Sequence, residues 1–142
     1  MTLLSNALSK ASSRVIARSI GEATRLGRSV EVLELTSSAD LVCANMMCEK
    51  LGEPCICRLH RVLERTPNVT TLLLAKNKLS QIPSSVWSLE KLEVLDLSDN
   101  YLTEMPHEMA QLGNLQTLNV SRNRLEGLGD WRQRLNNVQI IQ

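Results

Sequence analysis

Cys43, Cys48, Cys55 and Cys57 fall within fifteen residues of one another, with His60 three residues further on, the densest set of metal-ligating side chains in this 142-residue chain. Thiolate and imidazole are the donors that hold zinc, and neighbouring thiols can also oxidise to a disulfide. The spacing speaks against the familiar forms of either. Successive cysteines are separated by four, six and one residues, so no Cys-x-x-Cys knuckle exists. Cys55-x-Cys57 is only half of a structural zinc signature. Because unpaired cysteine is among the most buried residue types, the expectation is buried thiols, with no stoichiometric metal and no required disulfide.

Catalytic patterns are equally thin. The two histidines, His60 and His107, belong to no His-Glu-x-x-His pair, and neither a Gly-x-Ser-x-Gly elbow nor a phosphate-cradling Gly-x-x-x-x-Gly-Lys-Ser/Thr loop occurs. Asp96 and Asp99 read as exposed carboxylates on one edge of a sheet, with nothing beside them to shift their titration. The chain is read as non-catalytic, without cofactor, metal or small-molecule substrate.

The elements that position these groups follow from a repeat. Leu72-Leu-Leu74, Leu95-Asp-Leu97 and Leu118-Asn-Val120 recur every 23 residues, each followed by an asparagine, Asn77, Asn100 and Asn123, and then by Leu79, Leu102 and Leu125. Ile82-Pro83 and Met105-Pro106 close the first two copies. In each Leu-x-Leu the two leucines of a short strand point the same way, into a core. The chain must then turn, leaving backbone donors and acceptors buried, and an asparagine amide can satisfy them in a ladder from coil to coil. Proline is tolerated after the turn because no ladder N–H is needed there. Val86, Leu89 and Leu92, like Met109, Leu112 and Leu115, are spaced by three and fit a short helical or 3₁₀ turn on the convex side. No coil can bury its own apolar face, so stability must come from stacking.

This Leu-x-x-Leu-x-Leu-x-x-Asn-x-Leu-x-x-Leu-Pro pattern resembles the short intracellular leucine-rich-repeat proteins. The resemblance implies an α/β leucine-rich-repeat solenoid of about three full repeats with degenerate end coils, and a protein that works by holding other macromolecules. Val30-Glu-Val-Leu33-Glu-Leu35 reads as the strand of a zeroth repeat, with Ser38 in place of the ladder asparagine and Leu41 one position late. Leu135-Asn-Asn-Val138-Gln-Ile140 reads as a final strand offset by 20 rather than 23 residues from Leu115. The cysteines occupy an insertion at about 42–58, and Leu59, Val62 and Leu63 place a helix before Thr66-Pro67.

Residues 1–28 form a separate unit ahead of the repeat domain at 29–142. They carry five basic residues against Glu22 alone, while the remainder has 11 basic and 14 acidic residues. Leu4, Leu8, Ala11 and Val15 recur at helical spacing, which predicts one amphipathic capping helix over residues 3–26, ended by Gly27. An Arg- and Ser-rich, acid-poor leader is the composition of a mitochondrial import sequence. The expectation is that this helix directs import, stays attached and caps the first coil.

The surface expected to remain for binding is the concave sheet, read as a row of exposed positions: Leu73, Lys76, Val94, Asp96, Asp99, Asn119 and Arg122. Trp and Tyr anchors are lacking there, so Leu73 beside Val94 is its apolar spot and Arg122 its polar anchor. An alternative is that Lys76, Asp99 and Arg122 only neutralise one another. Three functions follow: an accessory scaffold subunit of a larger, mitochondrial assembly bound to protein subunits; a cytoplasmic adaptor of the kind the Ras-group leucine-rich-repeat proteins exemplify; or an RNA-associated, ribosomal subunit. In the last, the basic N-terminal helix touches phosphate, and the same helix could meet a membrane surface.

Overall fold

The computed structural model describes residues 14–42, 46–48, 52, 55–126, 130–135 and 137–142. Strands β1 (Ile16–Ala17), β2 (Val32–Glu34), β3 (Thr71–Leu73), β4 (Val94–Asp96), β5 (Thr117–Asn119) and β6 (Gln139–Ile141) form one parallel sheet in chain order. Leu33, Leu72, Leu95, Leu118 and Ile140 are successive register partners across it. Leu33, Leu35, Leu72, Leu74, Leu95, Leu97, Leu118 and Val120 are all buried, forming the aliphatic layer that the Leu-x-Leu repeat demands.

Parallel strands need a crossover between them. Here the later crossovers are single 3₁₀ turns at Ser84–Ser88, His107–Gln111 and Asp130–Arg134. Pro83 and Pro106 precede the first two in extended conformation, where their fixed φ fits and their missing N–H is not needed. Val86, Leu89, Leu92, Met109, Leu112 and Leu115 turn inward from these segments and are buried. Between β2 and β3 the longer crossover holds a short 3₁₀ turn at Ala39–Leu41 and then helix α2 (Cys57–Arg65), which buries Leu59, Val62 and Leu63. Thr66 ends it, its fully buried hydroxyl donating to the Val62 carbonyl at 3.0 Å.

The N-terminal unit departs from a single helix. Residues 1–13 lie outside the described region, and with them Leu4, Leu8 and Ala11. Past them the chain is first a strand: the Val15 carbonyl accepts from the Glu31 and Val32 amides, and Ile16 and Ala17 pair with Val32 and Leu33. Helix α1 (Ile20–Leu26) starts only after this. Ser19 Oγ accepts from the Glu22 amide at 3.0 Å, while Glu22 Oε2 accepts from the Arg18 amide at 2.8 Å. The open edge of β2 is thus covered by a further strand, which satisfies backbone groups that a helix could not reach. Gly27 ends α1 at φ 54°, a left-handed conformation in which a side chain would be strained.

The last coil also differs in register. Ile140, not Val138, pairs with Leu118, so the offset is 22 residues and this coil is one residue short of a full repeat. The slip of two positions keeps the same face of the strand inward, because strand side chains alternate with period two.

A solvent-facing edge beside the asparagine ladder

Each repeat asparagine is held by its own turn and by the coil before it. Asn77 Nδ2 donates to the Leu35 and Leu74 carbonyls at 2.8 and 2.9 Å, and its Oδ1 accepts from the Ser38 amide at 2.8 Å. Asn100 Nδ2 reaches the Leu74, Leu97 and Ser98 carbonyls, and its Oδ1 accepts from the Asn77 and Leu79 amides at 3.1 and 3.0 Å. Asn123 Nδ2 donates to the Leu97, Val120 and Ser121 carbonyls, while its Oδ1 accepts from the Leu102 amide at 3.0 Å. Asn77 and Asn100 are buried and Asn123 is half-buried. Ser38, in the ladder position of the zeroth coil, offers only its backbone N–H to Asn77.

This inward row decides what its neighbours show. The residue before each asparagine has a positive φ: 60° at Lys76, 54° at Asp99 and 52° at Arg122, with Ser37 at 51° in the zeroth coil. Left-handed backbone is uncommon outside glycine, and here it recurs at one position of successive coils, where the strand bends into the turn. Lys76 and Arg122 are exposed, as are Lys78, Tyr101 and Arg124, the residues after each asparagine. Arg122 clamps Asp99 through Nε at 2.6 Å and Nη2 at 2.7 Å. The hydrogen bond from Arg122 holds the Asp99 carboxyl below its ordinary value, aided by the charges of Arg122 and Lys76. The Arg124 guanidinium lies 4.2 Å from the centre of the Tyr101 ring, a cation–π contact.

The concave strand positions are far less open than the alternation of the sequence suggests. Leu73, Asp96 and Asn119 are buried, as are Val32, Thr71, Ala75 and Ser98, and Val94 is half-buried. Strands less than 5 Å apart shield short side chains between them, and at the N-terminal end Arg14 Nη1 reaches Thr70 Oγ1 at 2.8 Å. Asp96 and Asn119 are turned to local duty: each Oδ1 accepts the amide two residues on, Ser98 at 2.9 Å and Ser121 at 3.1 Å. Leu73 therefore belongs to the packed structure, not to an open apolar spot. Asp96 is not a solvated carboxylate, and Asp99 does have a neighbour that shifts its titration. Of the seven concave positions, Lys76, Asp99 and Arg122 stay together at the accessible edge. The row through Lys78, Tyr101 and Arg124 escaped the sequence reading, although the 23-residue step from Tyr101 to Arg124 marks it.

On the convex side, His60 Nδ1 lies 3.1 Å from Ser85 Oγ, and His60 Nε2 lies 3.4 Å from Glu64 Oε1. Serine, histidine and carboxylate in a row invite a nucleophilic reading, but the geometry is that of a surface staple. A catalytic histidine takes the serine proton on Nε2 while Nδ1 faces a buried acid. Here the nitrogens are reversed, and His60 and Glu64 are 42% and 62% exposed one helical turn apart. The contact fastens α2 to the Ser84–Ser88 turn, beside an open groove of about 480 Å³. His107 is largely exposed on the following convex turn.

The cysteines do not lie separately in the core. Cys48, Cys55 and Cys57 are half-buried and their sulfurs converge; Cys43 lies outside the described residues. Among the described residues no helix is long and apolar enough to cross a membrane.

A leucine-rich-repeat family model matches residues 67–125. The fold is shared by a leucine-rich-repeat protein of Leptospira interrogans, at 26% identity and TM-score 0.63 over 89% of this chain and 28% of that one. It is shared also by internalin C2 of Listeria monocytogenes, at 20% identity and TM-score 0.58 over 89% of this chain and 58% of that one. The chain thus spans less than two thirds of either. Among curated proteins none matches the sequence significantly. Repeat, sheet and ladder together give this chain a leucine-rich-repeat fold, with the family model matching its central coils.

Proposed function

We propose that this chain is an accessory scaffold subunit of a larger mitochondrial assembly, and that it binds its neighbours along the edge beside the asparagine ladder. The observation that carries the binding reading is this edge. Lys76, Lys78, Arg122 and Arg124 present four positive charges against Asp99, with Tyr101 among them. Tyr and Arg are among the residue types that dominate binding hot spots, and the ladder asparagines hold the backbone beneath them. The surface suits an acidic protein face. Compartment is supported by composition alone, through the basic leader of residues 1–28. The test is a pair of reporter fusions, residues 1–28 and residues 29–142, together with purification of the full chain from native extract. The expected results are a mitochondrial reporter from the leader, a cytosolic one from the remainder, and a stoichiometric protein complex on the full chain. A cytosolic leader fusion would transfer the reading to a cytoplasmic adaptor.

A specific observation favours a second reading, RNA contact. Arg58, Arg61 and Arg65 are exposed on α2, and among the described residues none pairs with a carboxylate. Association with RNA would weaken steeply with salt as bound counterions are released, and nuclease treatment would remove it.

A further inference from the structure

Three sulfurs meet at the N-terminus of α2. The Sγ atoms of Cys48, Cys55 and Cys57 all lie within 4.8 Å of one another, and those of Cys48 and Cys55 are 3.6 Å apart. A disulfide would bring two sulfurs to about 2.05 Å. Thiolates arranged tetrahedrally at about 2.3 Å from a Zn²⁺ ion stand about 3.8 Å from one another, close to the observed spacing. We propose that Cys48, Cys55 and Cys57 bind one Zn²⁺ ion, forming a structural site that fastens the insertion to the start of α2.

The surroundings favour thiolates there. The Cys57 amide donates to Cys55 Sγ at 3.4 Å, a contact that stabilises a charged sulfur more than a neutral one. Cys57 is also the first residue of a nine-residue helix, whose N-terminal partial charge favours an anion. The end of the insertion is already tied to its beginning: the Cys55 amide donates to the Leu41 carbonyl at 2.8 Å, and Arg58 Nη1 to the Asp40 carbonyl at 2.9 Å. Soft sulfur donors select zinc over hard cations such as Mg²⁺ or Ca²⁺. Structural zinc is four-coordinate, so the three sulfurs would leave one position for a further ligand. Binding is ligation alone: each thiol gives its proton to solvent as its sulfur donates to the metal, and nothing is oxidised or reduced. None of the three cysteines belongs to the edge proposed for protein binding, although Gly52 of the insertion lines a pocket with Lys76 and Lys78.

The test uses the full chain, produced with zinc supplied and purified under reductant without chelator. Elemental analysis should find about one zinc per chain, as a structural site requires. Native mass spectrometry should show that zinc lost to a chelator and regained on re-addition. Cobalt exchanged into the same site should give the intense visible bands of tetrahedral coordination and the near-ultraviolet absorption of sulfur bound to Co²⁺. The Cys48→Ser/Cys55→Ser variant should lose the zinc. Because the wild-type measurements need no substitution, a variant that fails to fold leaves them decisive. A wild-type chain without stoichiometric zinc, an intact mass showing an internal disulfide and no metal, or a folded double variant that keeps its zinc would each overturn the proposal.

Discussion

Asn100 shares its two amide protons among three carbonyls while its oxygen accepts from two backbone amides. Alanine there would strand those groups in a buried turn, and leaving such groups unpaired costs about 1–3 kcal/mol. Asn123 is half-buried and its oxygen serves the Leu102 amide alone, so Asn123→Ala should cost less. Urea denaturation of the two variants measures both losses, and equal or negligible losses would contradict the ladder. At the exposed Asp99–Arg122 pair the expected effect is on titration. The folded-state pKa of Asp99 lies below its ordinary 3.8. The pair's small stabilising contribution is therefore complete above the ordinary carboxylate range and is lost as pH falls through the depressed folded value. In Arg122→Ala the Asp99 midpoint, followed by NMR of its carboxyl carbon, should move up toward 3.8. An unmoved midpoint would mean that the clamp does not form in solution. The asparagine positions could be read from sequence because one residue type recurs at one step and its amide has an evident task. The left-handed backbone beside them could not, because Lys76, Asp99 and Arg122 share no residue type that signals positive φ.

Elements were legible where they repeat. The first leucine of each repeat pair lies in a strand, Val86 and Met109 lie in 3₁₀ turns, and Leu59, Val62 and Leu63 form the buried face of α2. The misread elements sit at the ends. Ile16–Ala17 has two paired residues inside a stretch of helical apolar spacing, so nothing local announces a strand; the unpaired edge of β2 makes it one. The start of α1 was readable, since Ser19 and Glu22 are the first and last residues of a Ser-x-x-Glu capping sequence. Ser19→Ala should therefore lower stability by about 0.5–2 kcal/mol, the usual cost of removing a helix cap. Thermal or urea unfolding checks this, and a neutral substitution would mean that α1 is not held by its cap. In the final coil the longer match to Leu-x-x-Leu-x-Leu suggested an offset of 20. Pairing at 22 extends β6 to Ile141 and puts Ile140 opposite Leu118. The convergence of cysteines was illegible for a different reason: the insertion has no repeat to fix its path, and its spacing matches no standard zinc signature.

For the whole molecule, the stacked coils form the base, and the ladder sets a row of side chains on either side of its asparagines. On the proposed function, this edge holds the partner and the packed concave strands do not. Tyr101→Ala with Arg124→Glu tests it most directly, because both residues are exposed and neither belongs to the ladder or to the Asp99–Arg122 clamp. The measurement is the affinity of the full chain, wild-type and variant, for the proteins that co-purify stoichiometrically with it, with circular dichroism to show equal folding. The expected loss is at least about tenfold, equivalent to roughly 1.4 kcal/mol of binding free energy. An equally folded variant that binds with unchanged affinity would contradict it.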